Sequence, residues 1–215
     1  MLRINDEAPD FTADSTNGII NLHSYLGNYW GILFSHPKDF TPVCTTELGY
    51  MAKVEKEFES RKCKLLGLSA DSVKDHIEWK KDIEETQNVK VNYPLIADSD
   101  LKIAKIYNML PADESNDGKR TAFTNATVRS VFLIDPHKKI RMMLTYPMTT
   151  GRNFDEIIRV LDSVQLTTEK KVATPAQWVQ DEEVIIVPAV SDEEATELFG
   201  KFRKVKPYLR YTKIK

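Results

Sequence analysis

What limits this chain most is the alternation of strand-like and helix-like stretches through its first 168 residues. Ile19 to Leu22 is a short strand candidate. Tyr29 to Ser35 (YWGILFS) is aromatic and aliphatic without a charge, the pattern of a strand buried on both faces. Pro37 and Pro42 then mark a turn. From Val43 to about Ser60 the pattern is helical, with Leu48, Met51, Ala52 and Phe58 on one face. Lys64 to Ala70 reads as a strand. Ser72 to about Gln87 reads as a charged helix, capped by Ser72, with Trp79 and Ile83 one turn apart. Tyr93 to Ala97 is a strand and Ser99 to Tyr107 a short helix. Pro111 to Asn125 is a polar loop with the turn signal Asn116-Asp117-Gly118. Val128 to Ile134 and Ile140 to Tyr146 form a hairpin about Pro136-His137. Arg152 to about Gln165 is the clearest helix: Phe154, Ile157, Ile158, Leu161 and Val164 share a face, and Asp155 and Glu156 sit at its positive end. The order β-β-α-β-α-β-α-β-β-α predicts an α/β layer fold, a central mixed sheet with helices on both faces.

Composition narrows the function classes. Thirty basic residues against 32 acidic ones leave a net charge of -2, which argues against a general nucleic-acid or membrane-surface binder. Two cysteines, Cys44 and Cys63, exclude a disulfide-stapled scaffold and a four-cysteine zinc site. The acidic start (Asp6, Glu7, Asp10) is unlike a signal peptide, and no apolar run is long enough to span a bilayer. The expected address is the cytoplasm, with no stable membrane insertion.

After Thr168 the character changes. Thr174-Pro175 interrupts the chain, and a strand (Val184 to Val187) and a helix (Asp192 to Phe199) follow. Asp181 to Glu197 holds seven acidic and no basic residues, and Lys201 to Lys215 seven basic and no acidic ones. These blocks read as solvated faces that pair with each other or with a partner subunit, rather than as a nucleic-acid arm. The expected domains are 1–168 and 169–215.

Ser35 to Tyr50 (SHPKDFTPVCTTELGY) carries the chemistry. A buried strand runs through a proline-bounded turn into a helix, and Cys44 falls in the helix's first turn. Unpaired N–H groups and the dipole there favour an anion. Thr41, three residues earlier, is placed to reach the same point. From the residues alone Cys44 is either an activated nucleophile or a buried apolar side chain.

The spacing P-x-x-x-T-x-x-C at Pro37, Thr41 and Cys44 resembles the signature of the peroxiredoxins, and FTPVCTTE is similar to their one-cysteine, peroxiredoxin-6 type. Further segments agree in order: Ala8-Pro9-Asp10-Phe11, Leu68 to Ser72, Arg129 at the head of VRSVFLID, Tyr146 to Glu156, Val172 to Pro175 and Leu209 to Thr212. The resemblance implies a thioredoxin-like fold with a small C-terminal α+β dimerisation domain. It implies a thiol-dependent peroxidase of hydrogen peroxide and organic hydroperoxides, acting as a homodimer in antioxidant defence and using neither cofactor nor metal. Cys44 would become a sulfenic acid, with Arg129 aimed at the developing charge, Thr41 bonding sulfur and peroxide, and Pro37 covering the pocket. Supporting roles fall to Glu47, which would anchor an arginine, to Arg152 as that arginine, and to His36 beside the cysteine. His23, His76 and His137 lack ligand spacing and are expected to be structural.

Cys63 follows a helix expected to be about 24 Å long at about 1.5 Å per residue. A disulfide needs Cα atoms within about 7 Å. Cys63 is therefore expected to pack, leaving resolution to an external thiol: glutathione, glutaredoxin or thioredoxin. The phospholipase elbow credited to some members of this class is altered. Gly27-Asn28-Tyr29-Trp30-Gly31 has tyrosine at the serine position and His137 stands for the acid, although His23 remains, so no serine-type lipase activity is expected. Two rivals stay in view: a redox-sensing or chaperone-like binding protein using the same sulfenic acid as a signal, and a thioredoxin-type disulfide oxidoreductase, against which the absence of C-x-x-C speaks.

Overall fold

A computed structural model describes residues 1–112 and 126–214. They form two units, Met1–Phe154 and Asp155–Lys215, each built on its own sheet. The predicted turn at Asn116-Asp117-Gly118 lies outside the described residues.

The first unit holds strands β1 (Thr12–Ser15), β2 (Gly18–Asn21), β3 (Trp30–Ser35), β4 (Cys63–Ser69), β5 (Leu95–Ala97), β6 (Arg129–Ile134) and β7 (Ile140–Tyr146). They lie in the order β2-β1-β5-β4-β3-β6-β7. β3, β4 and β5 run parallel, while β6 and β1 join antiparallel, so the sheet is mixed as expected. Parallel neighbours need long crossovers. Helices α2 (Pro42–Lys53) and α3 (Glu55–Ser60) supply the first, and α4 (Val73–Gln87) the second. Leu33, Leu66, Leu68 and Phe132 form one face of the sheet, with Leu22 and Leu26 of α1 (Leu22–Leu26) and Ile103 and Ala104 of α5 (Lys102–Ile106) against them. Phe34 points the other way, toward Tyr93. Every residue of β3 and β6 is buried, which is why their sequences carry no alternation.

Several boundaries differ from the sequence reading. The helix expected over 43–60 breaks at Val54 (φ -98, ψ 8), whose N–H closes on Tyr50 and Ala52 carbonyls. The helix expected from Ser99 starts at Lys102, because Leu101 takes a left-handed φ of 59 and the Asp98 carboxylate accepts from Ile103 and Ala104 N–H groups. Leu22 belongs to a helix, capped by Asn21 accepting from Ser24 N–H, and not to the strand. The polar segment Thr12–Ser15 is a strand that composition hides.

The second unit contains the bulk of α6 (Phe154–Glu169), a helix placed two residues later than expected at its start and running four beyond Gln165. Four antiparallel strands follow, β8 (Val172–Ala173), β9 (Val184–Ile186), β10 (Arg203–Lys206) and β11 (Leu209–Thr212), in the order β10-β11-β9-β8. Helix α7 (Asp192–Phe199) is capped by Ser191. One strand had been expected here rather than four. The opposed charge blocks meet within the unit: Arg203 pairs with Glu183 at 2.5 Å, Arg210 with Asp192 at 2.9 Å, and Lys204 also with Asp192.

Two glycines separate packing from propensity. A Cβ on Gly67 of β4 would lie 2.6 Å from a Leu95 methyl and 3.2 Å from the Phe34 ring, both fully buried. A Cβ on Gly49 of α2 would meet the Gln87 side chain, which is only partly buried. Gly67→Ala is expected to lower stability by about 1–3 kcal/mol. Gly49→Ala should be near neutral, since about 1 kcal/mol of helix propensity offsets the displaced glutamine. Urea midpoints of the two variants check this.

Candidate active site

The site is built where β3 ends and α2 begins. Thr41 is the N-cap, extended at φ -122 and ψ 148, and Pro42 opens the helix, where its missing N–H is no loss. Cys44 is therefore the third helical residue. Its thiol is fully buried. Thr45 N–H closes the first turn on the Thr41 carbonyl at 3.0 Å, and Thr45 Oγ1 donates to the same carbonyl at 2.8 Å.

Arg129, first residue of β6, donates from Nη1 to Cys44 Sγ at 3.3 Å and to Glu47 Oε2 at 2.5 Å. Its Nε and Nη2 both donate to the Met148 carbonyl, at 2.9 and 2.6 Å. Glu47 lies one helical turn beyond Cys44 and so shares its face. Its Oε1 accepts from Arg152 Nε at 2.8 Å and from Arg152 N–H at 2.8 Å, and its Oε2 from Arg152 Nη2 at 2.9 Å. Arg152 Nη1 continues to the carbonyls of Ser35 (2.9 Å) and Ser130 (3.1 Å). One carboxylate thus bridges two buried guanidinium groups. Burial pushes the Glu47 carboxyl up, but the Arg152 hydrogen bonds and charge, helped by Arg129, outweigh it and hold it below the usual range. The three groups sum to one positive charge, which an anion at Sγ would neutralise.

The other predicted residues are placed as follows. Thr41 Oγ1 donates its proton to the Lys38 carbonyl at 2.8 Å. It therefore has lone pairs, not a proton, to offer a ligand, unlike the expected bond to sulfur. Pro37 is buried in the same turn. His36 is fully buried, and its described hydrogen bonds run from Nε2 to Asp39 (2.7 Å) and, through its backbone, to Leu68 and Thr127; none goes to Cys44. Asp39 also meets His76 Nδ1 at 2.5 Å, so His76, read as merely structural, belongs to a buried His36–Asp39–His76 cluster. Sequence held one clue to it: His76, Trp79 and Ile83 fall at i, i+3 and i+7, one helix face. Asp39 gave no signal.

Cys63 opens β4 opposite Trp30, whereas Ser35 pairs with Leu68 at the other end of the two strands. About five residues of strand, at about 3.3 Å each, separate those levels. Burial pushes the Cys63 thiol well up. Tyr29 lies beneath Lys64, whose Nζ is 4.7 Å from the ring centre; His23 Nε2 meets the Ala8 carbonyl at 2.7 Å, and His137 is held by backbone to Asp135. No described hydrogen bond joins these three into a hydrolase triad.

A thiol in a helix's first turn, facing an arginine that a buried carboxylate aligns, defines a cysteine-based redox enzyme on a thioredoxin-like sheet. Residues 4–143 match the AhpC/TSA family, and residues 163–201 match the C-terminal domain of 1-Cys peroxiredoxin. The chain is 58% identical to 1-Cys peroxiredoxin of Dictyostelium discoideum over 99% of its own length and 85% of the relative's. It is 51% identical to the mitochondrial peroxiredoxin PRX1 of Saccharomyces cerevisiae, over 100% of its own length and 82% of the relative's. A solved structure of the yeast mitochondrial 1-Cys peroxiredoxin, studied for thiol resolution via glutathione/thioredoxin systems, superposes with a TM-score of 0.90 at 50% identity, covering 100% of both chains. A mutant peroxiredoxin 6 of Arenicola marina gives 0.92 at 46% identity, over 99% of this chain and 98% of that one. The chain belongs to the AhpC/TSA family of peroxiredoxins, thiol-dependent peroxidases, and to their one-cysteine class.

Two outcomes follow from the buried charges. Glu47→Gln leaves two guanidinium groups sharing a neutral amide; a loss of about 3–5 kcal/mol is expected, read as a lowered denaturation midpoint. Asp39 is pushed up by burial, but hydrogen bonds from His36 and His76 win and bring it from 3.8 to about 2. Its folded form binds fewer protons than the unfolded chain, so its contribution is complete above about pH 4 and disappears as pH falls toward about 2. That contribution is on the order of 2 kcal/mol. Stability measured between about pH 5 and about pH 2 should decline less in Asp39→Asn than in the unsubstituted protein.

Proposed function

We propose that Cys44 is the thiolate that attacks peroxide, and that the chain reduces hydrogen peroxide and organic hydroperoxides with electrons from an external thiol. The observation that carries this reading is the 3.3 Å contact from Arg129 Nη1 to Cys44 Sγ, with Glu47 fixing the same nitrogen.

Sγ attacks the terminal peroxide oxygen; the S–O bond forms as the O–O bond breaks, and the alkoxide or hydroxide leaves and takes up a proton. Cys44 becomes a sulfenic acid. Arg129 faces the charge that moves from sulfur to the leaving oxygen. Thr41 accepts the proton-bearing end of the peroxide, and Pro37 shields the turn from water. Glu47 and Arg152 orient Arg129, and His36 supports the turn. An external thiol then attacks the sulfenic sulfur, releasing water, and a second thiol frees Cys44 as a disulfide forms. Peroxide and two thiols thus give alcohol, disulfide and water. The strand length between Cys63 and the end of β3 supports an external resolving thiol, as does the study of glutathione/thioredoxin resolution in the yeast relative. Glutathione with a partner enzyme, glutaredoxin and thioredoxin are the candidates.

The reading extends to a peroxidase domain over 1–168, a dimerisation domain over 169–215 and a cytoplasmic homodimer. Among the described residues no helix is long and apolar enough to cross a membrane. The yeast relative is mitochondrial, so the address is tested by fractionation.

Cys44→Ser is expected to abolish rapid thiol consumption by peroxide, while Cys63→Ser leaves it intact. Mass spectrometry after one equivalent of peroxide, with reductants added singly, should place the added oxygen on Cys44 and show which thiol removes it. Loss of the reaction in Cys63→Ser alone would sink this assignment.

A further inference from the structure

Asp39 and His76 have no part in the cycle above, yet the hydrogen bonds of the His36–Asp39–His76 cluster fix its proton count. His76 Nε2 lies 3.1 Å from the Ile96 carbonyl, which can only accept, so Nε2 carries a proton. Nδ1 lies 2.5 Å from Asp39 Oδ2. A lone pair there would face a carboxylate, so a proton occupies that contact as well. Asp39 accepts at that contact, so His76 donates from both ring nitrogens. His36 Nε2 donates to Asp39 Oδ1 at 2.7 Å, and His36 Nδ1 has no hydrogen-bond partner among the described residues. An unpaired lone pair is cheaper to bury than an unpaired cationic N–H, which makes His36 neutral. The cluster sums to zero charge with one proton more than neutral imidazoles would hold. A metal fits poorly: ligands about 2.0–2.1 Å from a tetrahedral ion stand more than 3 Å apart, wider than these contacts.

The cluster grips the turn that launches α2. Asp39 N–H donates to Asp71 Oδ2 at 2.9 Å, and the next residue, Phe40, is forced to a left-handed φ of 55, a costly conformation for a phenylalanine. Thr41 and Cys44 follow directly. A second grip comes from α4: the Trp79 ring packs against His36, centres 5.2 Å apart and planes tilted by 37°, and Trp79 donates from Nε1 to Thr45 Oγ1 at 3.2 Å. The titratable groups facing His76 are Asp39 in the turn and His36 after β3, with Asp71 reached through the Asp39 backbone. From β5 the Ile96 carbonyl faces it, and Asp75, its neighbour on α4, is bound to Ser72.

We infer that His76 is a positioning residue for the peroxide reaction: the proton it shares with Asp39 latches the strained turn that sets Thr41 and Cys44. The inference rests on Cys44 being the reacting thiol. When the ring loses a proton, it can no longer donate to both Asp39 and the Ile96 carbonyl, and the latch loosens.

The test is the rate of thiol consumption by hydrogen peroxide against pH in the full chain. The unsubstituted protein should lose about tenfold or more on the alkaline limb, the scale of a misplaced reacting group. His76→Asn, whose amide donates from the Nδ1 position with no proton to lose, should show no alkaline fall, whatever its absolute rate. His76→Leu should be slow throughout. An alkaline fall in His76→Asn, or none in the unsubstituted protein, overturns the latch. Imidazole nitrogen NMR of the unsubstituted protein near neutral pH should show both His76 nitrogens protonated, and a neutral ring overturns it as well. That spectrum does not depend on which cysteine reacts, so it judges His76 separately from the Cys44 assignment.

Discussion

The Glu47 carboxylate is the interaction on which the rest of the site depends. It ties the first turns of α2 to the start of β6 and to the segment entering α6, three elements far apart in sequence. Two guanidinium groups in one buried place would repel and lose their hydration. Glu47 makes their coexistence tolerable and fixes Arg129 in direction as well as position, together with the Met148 carbonyl, which accepts from Nε and Nη2. The single surplus positive charge points at Cys44. Local helix chemistry, sheet register and site electrostatics therefore meet in one side chain.

The sheet explains why the pieces converge. β3 lies between β4 and β6, so its C-terminal end delivers the turn and α2 beside the first residue of β6. The same arrangement puts Cys63 at the far end of the β3–β4 pair, level with Trp30. The two thiols differ in setting: the register separates them, and only Cys44 stands at a helix start beside a cation.

Much of the first unit was legible as pattern. The uncharged run over β3 and the heptad-like face of α6 are strong signals because burial dictates them. Thr12–Ser15 was invisible because its strand character comes from pairing with β2, not from its own residues. The break at Val54 and the late start of α5 rest on single φ and ψ choices that no periodicity reports. Within the site, Cys44, Arg129, Glu47 and Arg152 were named from motif and resemblance, and their mutual contacts needed coordinates. The contact between Asp39 and His76 had no sequence signal: a lone aspartate in a turn and a histidine on a helix look ordinary until the fold brings them within hydrogen-bond reach.

The distance between the two cysteines has a kinetic meaning. An enzyme with its own resolving thiol resets at a rate set inside the molecule. On the proposed cycle this chain has no such internal clock, since both oxidation and reset require a second molecule to arrive. The oxidised fraction of Cys44 in steady state would then follow the ratio of peroxide to reducing thiol, each weighted by its rate constant. Such a protein reads the redox ratio of its surroundings continuously while it consumes peroxide, and separation along two strands is enough to make it do both.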